Sequence, residues 1–482
     1  ATIRRQRQMC IRDRNKNYYI FYLLKINTCM NIINFQTTSF LTALVFLFAS
    51  CNTTVNEENQ LDDALTNVLI EASNGQGIEH FTLPLSSNFS AIPQDIKNPI
   101  TSEKVSLGRL LFHETAISIK AANADNNGTF ACASCHHAQG GFQACLPQGI
   151  GDGGIGFGNT GEARDMDNSY ALTDIDVQPI RTPSALNVAY QKVMLWNGQF
   201  GAIGPNEGTE NSWTANTPKV VNHLGYEGVE IQAIAGLGVH RLEVDSSLLN
   251  TNPVYQNLFA DAFPELSEEE RITNENTGLA IAAYERTLLP NEAPFQQWLR
   301  GDADAMTDPQ KMGAVLFFKK GKCGTCHTGP ALSSMDFHAL GMKDLHQNGY
   351  NDAFFVDENA EADKGRGGFT GNLADMYKFK VPQLYNLKDS PFYGHGASFR
   401  RVRDIVSYKN EAVPENLNVP ESKLDSEFRP LYLSDKEIDF ITDFIENALY
   451  DPNLTRYLPE SLPSGNCFPT NDTQSQIDLG CN

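Results

Sequence analysis

Two short stretches decide the fold of this chain, Cys132-Ala-Ser-Cys135-His136 and Cys323-Gly-Thr-Cys326-His327. In each, positions i, i+3 and i+4 share one side of a helical turn, so two thiols and one imidazole face the same neighbour. The order Cys-x-x-Cys-His is the attachment sequence of c-type haem, whose porphyrin bonds the thiols and whose iron binds the imidazole. We therefore predict two haem c groups, held by Cys132, Cys135, His136, Cys323, Cys326 and His327.

Two other uses of paired cysteines compete with haem attachment. A zinc ribbon places its two Cys-x-x-Cys pairs roughly 15 to 20 residues apart, whereas Cys135 and Cys323 lie in different halves of the chain. A redox dithiol uses the thiols alone and needs no His after the second Cys. The repeated His and the wide separation therefore favour haem.

The overall composition limits the kinds of partner. The chain has 482 residues, 41% of them hydrophobic, which is enough for two medium-sized cores. It carries 37 Lys and Arg residues against 58 Asp and Glu residues, a formal net charge of -21. This excess of negative charge argues against a nucleic-acid partner and favours a cationic protein such as a basic cytochrome. A purely solubilising role of the acidic surface is the alternative.

The N-terminal region has the pattern of a secretion signal. The apolar run from Phe40 to Ser50 has the length of a signal-peptide core and is too short to cross a bilayer. It ends in Ala49-Ser50-Cys51, which is similar to a bacterial lipoprotein cleavage box, so we expect a lipidated Cys51 that anchors the chain to a membrane surface. A secretory signal with an incidental Cys51 is the alternative. Both predict a periplasm-facing protein.

Helical periodicity dominates the rest of the chain, and few segments alternate with the period of a strand. Turn-forming and acidic residues between Arg300 and Pro309 interrupt the pattern, so we place a domain boundary there. The predicted fold class is mainly α, in two similar modules. The divisions are an upstream extension with a lipoprotein-type signal (1–51), a tether with an N-terminal segment (52–95), two modules (96–300 and 301–458) and a tail (459–482).

Local signals refine this division. Asp308-Pro309 and Ser434 have the character of helix N-termini. The Gly-rich stretch 149–158 requires loop backbone, which is either a plain surface loop or backbone folded closely over a cofactor. Cys467 and Cys481 flank the tail, and a disulfide between them would close it into a loop.

Further motifs follow one another in a fixed order. Together with the two Cys-x-x-Cys-His stretches, they make the chain resemble the bacterial di-haem cytochrome c peroxidase family, which also includes the MauG-like di-haem oxidases. The resemblance implies two cytochrome c-like domains with one covalently bound haem c each, peroxidatic in the first and electron-transferring in the second. The matching segments are 107–112, 132–137, 181–187, 196–198, 231–233, 321–330, 377–382 and 390–393.

The resemblance also implies a division of labour. Hydrogen peroxide would be cleaved at the first haem, whereas the second would take electrons from a reduced cytochrome c or a cupredoxin. Trp196 matches the tryptophan that lies between the haems in this family. The alternatives are a MauG-like oxidase of an organic or protein substrate and a di-haem electron carrier without catalysis. The sequence leaves open whether two copies form a homodimer.

Peroxide cleavage needs a group that moves a proton from the inner to the outer oxygen. The family supplies a Gln and a Glu for this step, and Gln232 and Glu243 are the matching residues here. His240 lies between them and is the alternative proton carrier. Many relatives also cap the first haem with a distal His, but the matching segment 171–176 contains none. We therefore expect an uncapped first haem.

The iron ligands of the second haem depart from the family pattern. His136 and His327 are the proximal ligands of the two haems. For the second haem the family adds a Met or a Tyr as sixth ligand, but the matching position holds Lys409, with Tyr408 beside it. Met342 is a further candidate downstream of the second motif. A Tyr or Lys ligand would lower the reduction potential relative to Met.

A calcium site is the last implication of the resemblance. The family uses an Asn immediately before a Thr-Pro pair, where this chain has Arg181, and this replacement argues against calcium there. Asp152, Asp165 and Asp167 are alternative cation ligands, or simply solvated acids of a loop.

Overall fold

The computed structural model of the chain describes residues 57–244, 252–349 and 360–481. The predicted extension, signal and lipidated Cys51 lie outside these ranges. No helix within them is both long enough and apolar enough to cross a membrane. The described chain is mainly helical, as predicted, and each of its strands has only two residues.

The regular elements of the described ranges are twelve α-helices and four short strands, joined mostly by 3-10 turns. The strands form two separate antiparallel pairs, β1 with β2 and β3 with β4. They are β1 (Gly154–Ile155), β2 (Asp165–Met166), β3 (Phe337–His338) and β4 (Phe379–Lys380). The helices are α1 (Glu57–Ala72), α2 (Ser102–His113), α3 (Gly228–Val239), α4 (Pro253–Ala262), α5 (Glu268–Arg271), α6 (Asn274–Glu285), α7 (Pro294–Leu299), α8 (Asp308–Phe318), α9 (Arg366–Thr370), α10 (Val402–Glu411), α11 (Asp435–Asp443) and α12 (Thr473–Leu479).

The two helix starts predicted from local sequence are confirmed. Ser434 caps α11, since its hydroxyl accepts a hydrogen bond from the backbone N–H of Glu437 at 3.4 Å. Thr307 caps α8 in the same way, with Pro309 in the first turn. These starts are predictable because a cap depends on residues only three positions apart.

One type of helix crossing occurs twice. At Gly108, α2 approaches α6 so closely that a Cβ would lie 1.9 Å from the carbonyl oxygen of Ala280. At Gly313, α8 approaches α11 so closely that a Cβ would lie 2.0 Å from the carbonyl oxygen of Phe440. Only glycine permits such close contact of backbones. In both cases the first helix of the pair precedes a Cys-x-x-Cys-His motif in the chain, directly for α8 and after two short turns for α2.

Each motif lies beside its own hydrophobic cluster. The first cluster is built mainly on α2, α3, α4 and α6 and includes Phe112 and Tyr284. The second is built mainly on α1, α8 and α11 and includes Phe317 and Phe444. All described residues nevertheless belong to one compact unit. The boundary at residue 300 therefore stays a prediction.

The C-terminal tail returns to the first motif. It contains the Cys467–Cys481 disulfide, with 5.9 Å between the Cα atoms. The hydroxyl of Ser134, inside the first motif, donates to the carbonyl oxygen of Pro469 at 2.8 Å. The carboxylate of Asp478 accepts two hydrogen bonds of 2.9 Å from backbone N–H groups at the end of the Gly-rich stretch. The tail thus braces the motif and the Gly-rich stretch together.

Candidate haem sites

The two predicted proximal histidines are held by the same kind of hydrogen bond. His136 Nδ1 donates to the carbonyl oxygen of Phe142 (3.2 Å), and His327 Nδ1 donates to that of Leu332 (2.9 Å). Each acceptor has a left-handed backbone, with φ of 56° and 47°. Burial lowers the pKa of both histidines to about 4, against the smaller opposing effect of these hydrogen bonds. Each ring is therefore neutral, with the Nε2 lone pair free to bind iron.

The four motif cysteines do not form a zinc site. Cys132, Cys135, Cys323 and Cys326 are free thiols, so neither pair has closed into a disulfide. Across the described ranges, no cysteine belongs to a group of three side chains close enough to share a metal ion. A tetrahedral zinc site needs four converging ligands. The geometry thus argues against structural zinc and agrees with two independent haem attachments.

The Gly-rich stretch is not a plain surface loop. Most of its residues are buried, and a Cβ at Gly149 would lie 2.7 Å from the Cβ and Sγ atoms of Cys135. Two residues later, a Cβ at Gly151 would lie 2.3 Å from a carboxylate oxygen of Asp176. The missing side chains let this backbone pass directly over the first motif and bring Asp176 close to it.

A cavity connects the second motif with Trp196. Its wall includes Cys323, Cys326 and His327 at one side and Arg181 and Trp196 at the other. Because the cavity contains both attachment cysteines and the proximal His, a haem fits this donor set. Trp196 therefore borders the second haem site, and its role as an electron bridge stays a prediction.

Backbone hydrogen bonds connect the segment that contains Arg181 and Trp196 with the segment that contains Lys380 and His395. The backbone N–H of Lys380 donates to the carbonyl oxygen of Trp196 (2.7 Å), and that of Arg181 donates to the carbonyl oxygen of His395 (2.9 Å). The indole N–H of Trp196 donates to the carbonyl oxygen of Arg181 at 2.9 Å. The indole is therefore held in one orientation by the segments that it joins.

His240 and Asp176 form a pair beside the first motif. His240 Nδ1 lies 2.7 Å from Asp176 Oδ2, and the carboxylate is almost fully buried whereas the imidazole is 36% exposed. Burial alone would lower the pKa of His240, but the charge and the hydrogen bond of Asp176 outweigh it and raise the pKa. His240 in turn lowers the pKa of His136 by its charge, after the larger effect of burial. The pair thus lies within electrostatic reach of the proximal ligand.

Gln232 lies on α3, and His240 caps the C-terminus of the same helix. A Cβ at Gly236 would be 3.4 Å from Gln232 Nε2 and 4.0 Å from His240 Cδ2, so the two side chains flank this glycine. Glu243 has a different environment, because its carboxylate forms a 2.8 Å ion pair with the exposed Lys120. Of the predicted distal residues, the structure brings Gln232 and His240 together and engages Glu243 elsewhere. Asp176 is the residue that sequence reasoning missed.

The three candidate ligands of the second haem differ in their surroundings. The hydroxyl of Tyr408 donates to the carbonyl oxygen of Leu340 at 2.6 Å, and its ring is buried between aromatic neighbours. Lys409 and Met342 instead line the cavity that contains the second motif. Burial lowers the pKa of Lys409, against the opposing charges of nearby acids and thiols. Lys409 and Met342 therefore border the cavity at the second motif, whereas the hydroxyl of Tyr408 is engaged by Leu340; which of the three binds iron stays a prediction.

The residues considered for calcium already have protein partners. The buried guanidinium of Arg181 donates to the carbonyl oxygen of Leu146 and to the hydroxyl of Ser390, both at 2.7 Å. Asp152 is fully buried, accepts a hydrogen bond from Tyr170 and pairs with Arg241. Across the described ranges, Asp152, Asp165 and Asp167 do not converge as ligands of one ion.

Comparisons with known proteins agree with this geometry. Residues 102–304 match the family model described as di-haem cytochrome c peroxidase. The methylamine utilization protein MauG of Methylorubrum extorquens is 26% identical over 364 residues, which cover 75% of this chain and 82% of that protein. The cytochrome c peroxidase Ccp of Escherichia coli is 30% identical over 335 residues, which cover 67% of this chain and 56% of that protein.

A solved structure supports the fold. The crystal structure of a MauG-like protein associated with microbial copper homeostasis aligns with a TM-score of 0.52 and 20% identity, and covers 77% of this chain and 95% of that one. The two haem-attachment motifs, their repeated proximal hydrogen bonds and these matches lead to one assignment. The chain belongs to the di-haem cytochrome c peroxidase family.

Proposed function

We propose that the protein reduces hydrogen peroxide to water, with one haem c attached in each of two cytochrome c-like domains. One peroxide, two protons and two electrons give two water molecules, and the electrons come from a reduced cytochrome c or a cupredoxin. The observation that carries this proposal is the His240–Asp176 pair, because peroxide cleavage requires a proton carrier beside the first haem.

Each residue of the first site has its own role in proton transfer. A haem held by Cys132, Cys135 and His136 would supply the iron for peroxide binding and the electrons for its reduction. His240 takes the proton of the inner oxygen at Nε2 and returns it to the outer oxygen. Asp176 accepts the hydrogen bond of Nδ1 and so keeps Nε2 available as the base. The Gln232 amide, across Gly236, orients the peroxide by hydrogen bonding.

A haem at the second motif would accept electrons from the donor, and Trp196 would lie on their route to the first site. The support for this route is the position of Trp196 on the wall of the cavity at the second motif, with its indole hydrogen-bonded to the carbonyl oxygen of Arg181. The acidic surface would guide a cationic donor to the protein. We also propose that the protein faces the periplasm and is anchored through a lipidated Cys51.

The test is stopped-flow mixing of the reduced, full-length protein with hydrogen peroxide. We expect rapid oxidation of both haems, followed by turnover with a reduced cytochrome. In His240→Ala the oxidation should slow by roughly 10²- to 10⁴-fold, the usual contribution of a general acid–base group. Glu243→Gln is the matched control and should react like the unchanged protein.

Two outcomes would contradict the proposal. If the unchanged protein does not react with peroxide, the chain is a di-haem electron carrier. If the resting first haem is six-coordinate and low-spin, and His240→Ala abolishes that spectrum, His240 is an iron ligand and not the proton carrier.

One observation favours a MauG-like oxidase as a second candidate. The position at which the family's peroxidases carry the Met ligand holds Lys409 here, and a potential lowered by such a ligand would hinder electron uptake from a cytochrome. Such an oxidase would consume peroxide while it oxidises an added organic or protein substrate. Steady-state turnover with a cytochrome donor alone distinguishes the peroxidase from this activity.

A further inference from the structure

Among the residues that the structure describes, the buried ammonium group of Lys380 meets no carboxylate. Lys380 lies on β4 and is 6% exposed, and its Nζ donates one hydrogen bond, to the side-chain oxygen of Gln191. Burial lowers its pKa to about 7, and no acid of the described residues opposes this shift. A buried cation without an anion is strongly disfavoured, so the folded protein needs either a neutral amine or an anion at this place.

Every carboxylate that the described residues contribute to the cavity wall already has another partner. Lys380 lines the same cavity as the second motif, and four acidic residues of the described chain share that wall. Each already has another partner at 2.7 to 3.2 Å. The pairs are Asp344 with His395, Asp363 with His346, Asp425 with His338, and Glu427 with Arg429.

The internal repeat supplies a direct comparison. Lys380 lies two positions before Pro382, and Arg181 lies two positions before Pro183. The carbonyl group of Pro382 faces His327, and that of Pro183 faces His136. The equivalent cation, Arg181, is saturated by protein acceptors. Both cations border the cavity, but Arg181 has five protein acceptors whereas Lys380 has one.

We propose that Lys380 binds a propionate carboxylate of the second haem and thereby raises the reduction potential of that haem. This inference rests on haem attachment at the second motif, as in the proposed function. Haem c carries two propionates, which are the anions that a haem would bring into this cavity. A positive charge held near the iron favours its reduced state, which has one positive charge fewer. Lys380 is thus a positioning and tuning residue next to Trp196.

The experiment is a spectroelectrochemical titration of the full-length holoprotein and its variants. Lys380→Met removes the charge and keeps the length of the side chain, and we expect it to lower the midpoint potential of the second haem. Lys380→Arg restores the charge and should restore most of the potential. Lys388→Met is the control, because Lys388 belongs to the same module but is exposed. It should shift the potential far less than Lys380→Met.

The haem content of each variant is measured first, by the absorbance of the alkaline pyridine complex. Absence of haem at the second motif of the unchanged protein would refute the proposed function. Two attached haems with an unchanged second potential in Lys380→Met would overturn the role of Lys380 alone. If Lys380→Met does not fold, Lys380→Gln provides the same comparison with a polar side chain, and an unchanged potential there likewise overturns the inference.

Discussion

Asp176 is the residue on which the proposed proton transfer most depends. His240 accepts a proton only when it is neutral, so the rate of peroxide reaction should fall as the pH drops through its pKa. Asp176 raises that pKa against the opposing effect of burial. In Asp176→Asn the pKa of His240 should decrease, and the acid limb of the pH profile should move to lower pH. Stopped-flow rates across the pH range measure this shift.

The maximum rate of Asp176→Asn should also fall, because an amide no longer fixes the tautomer with a free Nε2. Asp174→Asn is the control, since Asp174 lies two positions away and is exposed. An acid limb that stays in place in Asp176→Asn would contradict the pairing.

A second prediction concerns the sixth ligand of the second haem. The hydroxyl of Tyr408 is already used by the carbonyl oxygen of Leu340, whereas Lys409 faces the cavity. Tyr408→Phe should leave the haem spectrum unchanged and reduce the free energy of unfolding by about 1 kcal/mol, the loss of one hydrogen bond. Lys409→Met should change the near-infrared magnetic circular dichroism to that of a thioether ligand and raise the potential.

The opposite pattern, a ligand change in Tyr408→Phe and none in Lys409→Met, would assign the ligand to Tyr408. Met342→Leu tests the remaining candidate in the same spectrum. A change confined to that variant would make Met342 the ligand.

Residue roles were predictable where the signal is local. The proximal ligands follow from five consecutive residues, and His240 was predicted as an alternative proton carrier. Asp176 gave no such signal, because it meets His240 only through the tertiary fold. It lies in the same segment 171–176 whose missing His predicted an uncapped first haem. For Lys380, burial with Gln191 as hydrogen-bond acceptor and no carboxylate nearby among the described residues is a property of packing, which no sequence motif encodes.

At the scale of elements, the crossing of α2 and α6 depends on Gly108. A methyl group there would overlap the carbonyl oxygen of Ala280, so the helices must separate or shift. We expect Gly108→Ala to destabilise the fold by about 1–3 kcal/mol, a usual cost of overpacking. The control is Gly238→Ala in α3, which meets no atom within 4 Å and should be neutral or stabilising. Urea unfolding measures both, and equal stabilities would contradict the crossing.

The tail is the second element with a predictable effect. The Cys467–Cys481 disulfide closes a segment that contacts both the first motif and the Gly-rich stretch. Replacing both cysteines by Ser should reduce the free energy of unfolding by roughly 2–4 kcal/mol. Hydrogen exchange should accelerate around Ser134 and Phe157, whereas the second motif should keep its protection. Uniform acceleration at both motifs would contradict a local bracing role.

At the scale of the whole molecule, the surroundings of the two Cys-x-x-Cys-His motifs share several features and differ in others. Three features recur: a close helix crossing at a glycine, a hydrogen bond from the proximal His to a backbone carbonyl, and a cation two positions before a proline. The copies diverge at the distal residues and at the partners of Arg181 and Lys380. The mainly helical class follows from hydrophobic periodicity in the sequence. The contacts around Trp196 and the return of the tail could not be predicted, because they join segments far apart in the chain.

The net charge of -21 predicts how the association of the protein with its electron donor depends on salt. Long-range attraction accelerates the encounter with a cationic donor, and dissolved ions screen it over about 8 Å at physiological ionic strength. Turnover limited by a basic cytochrome should therefore decrease steeply as salt is added. With an acidic cytochrome, repulsion is screened instead, so added salt should leave the rate unchanged or increase it. Steady-state rates over a salt series measure both, and identical salt responses would show that donor docking does not use the acidic surface.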